Sequence, residues 1–164
     1  MVLFVSAAFE KKFGCPVSHA GECPTQTGRM NAWSCHFVRI GRKSVVVAMH
    51  DASLFTLVLP TAGMRGFDGF LVRLVERVGE KWIRRGLPFD PNDQTVMVLR
   101  RSDRSRIGSM NDMVQMMRFY HELARDEGSE VDFAEMERRS NETPYKSIGY
   151  NSPSRLLAEL GERG

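Results

Sequence analysis

The hydrophobic and polar positions of the chain change period several times, and each change marks an element. Apolar and polar residues alternate through Trp33, Ser34, Cys35, His36 and Phe37. Successive side chains of a strand leave on opposite faces, so this is the pattern of a half-buried strand. Val38 and Ile40 break the alternation, which predicts that the far end of the strand is covered on both sides. Gly41-Arg42-Lys43 is a short polar connection opened by the residue most tolerant of positive φ. The apolar run at 44–49 (SVVVAM) then reads as a strand buried on both faces. His50-Asp51-Ala52-Ser53 is a second turn, and residues 54–59 form a third strand. Pro60 closes it, because proline lacks the N–H that a ladder needs. The expectation over 32–60 is an antiparallel meander.

Ahead of the meander, residues 2–13 read as a short strand and a helical turn stopped by Gly14. Residues 15–31 lack periodicity, are rich in Gly, Pro, Ser and Thr, and are expected to form a long loop. Beyond the meander, Phe67, Phe70, Leu71, Leu74, Val75, Val78 and Trp82 recur at three- and four-residue spacing. Arg73, Glu76, Arg77, Glu80 and Lys81 take the other face, which makes an amphipathic helix ended by Gly86 and Pro88. Residues 95–99 (TVMVL) read as a further strand. Ser109, with Asp112 three residues on, predicts a capping box opening a helix that runs to about residue 127. That helix would bury Met110, Met113, Val114, Met117, Tyr120 and Leu123. A shorter helix is expected around Phe133 and Met136, and a last one opens at Ser152-Pro153, where proline sacrifices no hydrogen bond. The fold class so predicted is α+β: a mainly antiparallel sheet of about four or five strands, two main helices packed on it, and a helical C-terminal segment.

Composition narrows this picture. At 164 residues the chain suits one domain, 1–164, read as a core at 1–127 with a helical extension at 128–164. The first residues (MVLFVSAAFEKKFG) place Glu10, Lys11 and Lys12 after the apolar stretch, the reverse of a secretory signal. Three cysteines, an odd number, point to reduced thiols, so a cytoplasmic protein is expected. No apolar run approaches the roughly 20 residues that span a bilayer, which argues against a membrane partner. A net charge of +3 allows an acidic partner without requiring one.

Four groups of residues carry candidate chemistry. Cys15, His19 and Cys23, completed by Cys35 or His36, would offer zinc the sulfur and nitrogen donors it takes in tetrahedral sets. Their spacing is not a usual zinc signature, and the plainer reading is unrelated thiols beside a loop histidine, with no cofactor. His36, His50 and Asp51 come close if the first two strands of the meander pair, and would make a general base and its orienter. Polar turn residues account for His50 and Asp51 equally well. Arg100, Arg101, Arg104 and Arg106 precede a helix start with Ser109 and Asn111, where guanidinium groups and free N–H donors can hold a phosphate. The alternative is a solvated connection in which Asp103 pairs with a neighbouring arginine. Met110, Met113, Met116 and Met117 with Phe119 and Tyr120 form an adaptable apolar surface. Most of it would be core, while Met116 and Phe119 fall off the main stripe and suggest self-association or a protein partner.

Two segments together, WSCHFVRIGRKSVVVAMHDASLFTLVLP and RSDRSRIGSMNDM, resemble a bacterial family described as domain of unknown function 6933. The matching residues are Trp33, His36, Arg42, Lys43, Leu54, Phe55 and Pro60, then Asp103, Arg104, Gly108, Ser109, Met110 and Asn111. The resemblance covers about residues 32–117 and leaves out 15–31 and everything after 127. It implies an α+β domain, with relatives that sometimes sit beside or within mobile-element proteins, and it implies no activity.

The functional expectation is a binding or regulatory module contacting an anionic or nucleic-acid partner through residues 100–111. A phosphoester hydrolase or nuclease using His36, His50 and Asp51 is the competing class. A structural interaction module is the third.

Overall fold

The structure, a computed structural model, describes residues 1–18, 31–90, 95–130 and 132–162. The predicted meander is present as β2 (Ala32–Ile40), β3 (Lys43–His50) and β4 (Thr56–Pro60), antiparallel throughout. The remaining strands are β1 (Val2–Val5) and β5 (Met97–Arg100), and the sheet order is β4-β3-β2-β1-β5. β1 pairs in parallel with both β2 and β5. The sheet is therefore mixed, with antiparallel pairing in the long meander and parallel pairing around β1.

Helices cover both faces. α1 (Ala7–Phe13) and α2 (Gly66–Ile83) bury Phe9, Phe70, Leu74 and Trp82 against Leu3, Trp33 and Phe55. On the other face, α3 (Arg104–Asp126) and α4 (Phe133–Glu142) bring Met110, Met113, Met117 and Met136 onto Val47, Met49 and Val58. The two long helices thus lie on opposite faces, and shorter ones complete both layers. The C-terminal segment takes part in both cores, Met136 in the second and Leu157 of α5 (Pro153–Glu162) in the first.

Two local expectations need correction. The alternation of β2 is not broken at Val38 and Ile40, which continue the face of Ser34 and His36 and enter the second core, while Arg39 between them is exposed. One face of β2 is simply polar at one end and apolar at the other. Nor does Ser109 cap α3. Asp103 does, accepting from Ser105 N–H at 2.9 Å and Arg106 N–H at 3.3 Å, and Ser109 is buried within the helix. Asp caps as well as Ser, and the earlier start lengthens the helix that packs on the sheet.

The β2–β3 register pairs Ile40 with Lys43, leaving Gly41 and Arg42 as a two-residue turn. Gly41 has φ 58°, and a Cβ there would lie 2.1 Å from His121 Nε2. Gly41→Ala is expected to lose about 1–2 kcal/mol, since an L-residue is disfavoured in the left-handed region and His121 must turn away. A lowered urea midpoint with unchanged slope is the corresponding measurement. A midpoint equal to wild type would contradict it.

Candidate functional site

The polar end of β2 opens onto a cavity of about 210 Å³. Four segments build its wall. Phe4 comes from β1, with Ser6 and Ala7 at the step into α1. Ser34 and His36 come from β2, Arg101 follows β5, and Arg106, Ile107, Met110 and Asn111 come from the first turns of α3. The position suits a ligand site, because α/β sheets leave crevices beyond the carboxyl ends of parallel strands, here β1 and β5.

Arg101 is the best-anchored group. Its backbone N–H donates to Val5 O at 3.2 Å, extending the β1–β5 ladder by one residue. The side chain, 10% exposed, crosses β1 with its guanidinium 3.8 Å above the Phe4 ring. Nη2 donates to both Ser34 Oγ and Asp51 Oδ2, and Ser34 Oγ donates to Asp51 Oδ1 at 2.6 Å. Asp51 is fixed in turn by its own N–H, which donates to Ala32 O at 2.9 Å. Three distant stretches of sequence thus meet in one ion pair and its hydroxyl.

The second polar group is His36 Nδ1 with Ser6 Oγ, 2.8 Å apart. Ser6 also caps α1, accepting the Phe9 N–H at 3.2 Å. Burial, with the nearby Arg118 guanidinium, holds His36 below the usual histidine range, so the ring is neutral at neutral pH.

The expected sets are divided by this geometry. His36 and Asp51 lie beside the cavity, whereas His50 pairs across the ladder with Trp33, three residues from His36 and on the opposite face. His50 sits in the first core, its ring 5.3 Å from Trp33 and 5.7 Å from Trp82, with Nδ1 2.8 Å from Ser53 Oγ. Of the anion set, Arg101, Arg106 and Asn111 line the cavity. Arg100 turns away to Glu10 at 2.6 Å, Arg104 is exposed at the first helical position, and Ser109 Oγ lies 3.2 Å from Ser147 Oγ. Of the zinc set, His19 and Cys23 lie outside the described residues. Cys15 and Cys35 are buried free thiols whose burial pushes both pKa values up. Among the described residues no group of three or more His, Cys, Asp or Glu could hold a metal ion. Ser6 and Ser34 were missed. Ser34 was legible as the polar partner in the β2 alternation, and Ser6 as the polar residue between a strand and a helix.

Among the described residues no helix is long and apolar enough to cross a membrane. No curated protein matches the chain. The family described as domain of unknown function (DUF6933) matches residues 2–156, taking in most of the C-terminal segment as well as the meander, and also 15–31, where the expected long loop falls largely outside the described residues. With all four walls of the cavity inside that match, the chain belongs to the DUF6933 family.

Proposed function

We propose that this protein is a binding module for a small anionic ligand, a compact molecule with a phosphate or carboxylate head and an apolar body. The observation that carries this reading is Arg101. A guanidinium has five N–H donors, and among the described residues only those on Nη2 are engaged. Its Nε is buried and has no partner among the described residues. Asp51 and Ser34 hold the group in place, so it is oriented before any ligand arrives, which lowers the entropic cost of binding.

Asp51 already balances the charge of Arg101, and Arg106 then leaves the cavity net positive. Asn111 adds an amide, while Phe4, Ile107 and Met110 supply an apolar wall. His36, neutral, adds no charge. A few converging polar groups in an otherwise apolar hollow are the usual make-up of a small-molecule site. A nucleic acid suits the surface less well, since only three of the six expected contact residues converge and they line a hollow rather than a stripe.

Inorganic phosphate titrated calorimetrically is the direct test. Arg106→Ala is expected to weaken phosphate binding about tenfold or more, the effect of one charge-assisted hydrogen bond. Arg104→Ala, outside the cavity, should leave it within about twofold. Equal losses from the two substitutions would move the site out of the cavity and end this reading.

A further inference from the structure

We infer that Ser6 is a nucleophile and His36 its base, so that the cavity cleaves a small phosphate monoester. This rests on the reading that the cavity holds an anion, and adds a reaction to it. Ser6 stands where β1 turns into α1, within the cavity wall, with its Oγ 2.8 Å from His36 Nδ1. In the tautomer with its proton on Nε2, the ring accepts the Ser6 hydroxyl hydrogen at Nδ1. The Phe9 N–H donates to the same oxygen and stabilises the negative charge that develops as the proton leaves. Burial first, and then the charge of Arg118, hold the ring in its neutral form, which is able to accept a proton. Arg101, Arg106 and Asn111 share the cavity with this pair, where an anionic phosphoryl group would need donors.

The steps balance. Ser6 Oγ bonds to phosphorus as its proton passes to His36, and the bond from phosphorus to the substrate's alcohol oxygen breaks. His36 returns the proton to that oxygen, releasing the alcohol. Water then attacks the phosphoserine, giving a proton to His36, and inorganic phosphate leaves as Ser6 recovers its hydrogen. The only co-reactant is water.

Ser6 as a helix cap alone is the competing role, and Ser6→Asn separates the two, because asparagine caps equally well but cannot attack. The whole chain is incubated with p-nitrophenyl phosphate, quenched in acid, and examined by intact mass and peptide mapping, with phosphate release followed in parallel. Wild type is expected to show a phosphoryl adduct on Ser6, or phosphate release above the blank, and Ser6→Asn neither. His36→Gln should slow the reaction about 100-fold or more. Wild type and Ser6→Asn behaving alike, while inorganic phosphate still binds, would overturn the nucleophile and leave the binding reading standing. Loss of phosphate binding in wild type strikes the binding reading itself. Full reactivity in His36→Gln would overturn His36 as the base.

Discussion

Glu137→Ala is expected to cost about 3–5 kcal/mol of stability, the range for removing one partner of a buried ion pair. Glu137 lies on α4 with a side chain only 4% exposed. Its Oε2 accepts the Val58 N–H of β4 at 3.0 Å, and its Oε1 meets Arg77 Nη2 at 3.0 Å and Lys81 Nζ at 2.7 Å. One helical turn later, Asn141 Oδ1 accepts the Thr56 N–H at 2.7 Å while Nδ2 donates to Thr56 O at 2.8 Å. β4 is an edge strand, and two side chains of α4 complete its outward hydrogen bonds as a neighbouring strand would. Alanine at 137 strands the buried Val58 N–H and takes a carboxylate from Lys81 and Arg77, of which Arg77 keeps Glu80 at 2.6 Å. Because Arg77 and Lys81 are 28% and 21% exposed, solvent screens part of the charge, which places the loss at the lower end of the range. Glu137→Gln, keeping an acceptor for Val58, should lose less. Urea unfolding reads both, and an alanine variant within about 1 kcal/mol of wild type would show that α4 merely rests on the edge.

The second large effect is at the anchored arginine. Asp51→Ala leaves Arg101 buried with its charge uncompensated and Ser34 without its acceptor, for an expected loss of about 2–4 kcal/mol. Arg101→Met alone leaves Asp51 similarly stranded. The double variant Asp51→Ala/Arg101→Met should be clearly more stable than the sum of the single losses, because the buried charges leave together. It should also lose phosphate binding entirely, even where its fold is intact by far-UV circular dichroism. Strict additivity in the cycle would mean that the pair, despite its contact, is not coupled. Retained phosphate binding in the folded double variant would remove Arg101 from the site.

These two clusters mark how far the chain could be read in one dimension. The meander, α2 and α5 were legible because their signals are local: period two in Trp33–Phe37, period 3.6 from Phe67 to Trp82, and Ser-Pro at 152–153. Gly14, with φ 62°, ends α1 as its position suggests. The start of α3 was misplaced because Asp103 and Ser109 are both good caps, and only the packing of the whole helix decides between them.

The site was half visible. His36, Asp51, Arg101, Arg106 and Asn111 were singled out by residue type, but the groupings drawn from them were not those of the structure. His36 and His50 are separated by an even–odd offset across the β2–β3 ladder, which puts them on opposite faces. Arg100 and Arg101 are adjacent in sequence, yet one turns to Glu10 and the other crosses β1 to Asp51.

What the sequence determined by itself is therefore the order of the elements, the buried stripe of α2 and the family, whereas Arg39 of β2 and Leu123 of α3 are exposed where burial was expected. What only the tertiary structure decided is which strands flank β1, that α4 closes the β4 edge, and that Ser6 meets His36 while Ser34 and Asp51 meet Arg101. Periodicity is a property of neighbours along the chain. Strand order and side-chain partnership join residues far apart along the chain, as in Arg101 N to Val5 O, and are settled by which arrangement buries both cores while pairing the backbone of the sheet.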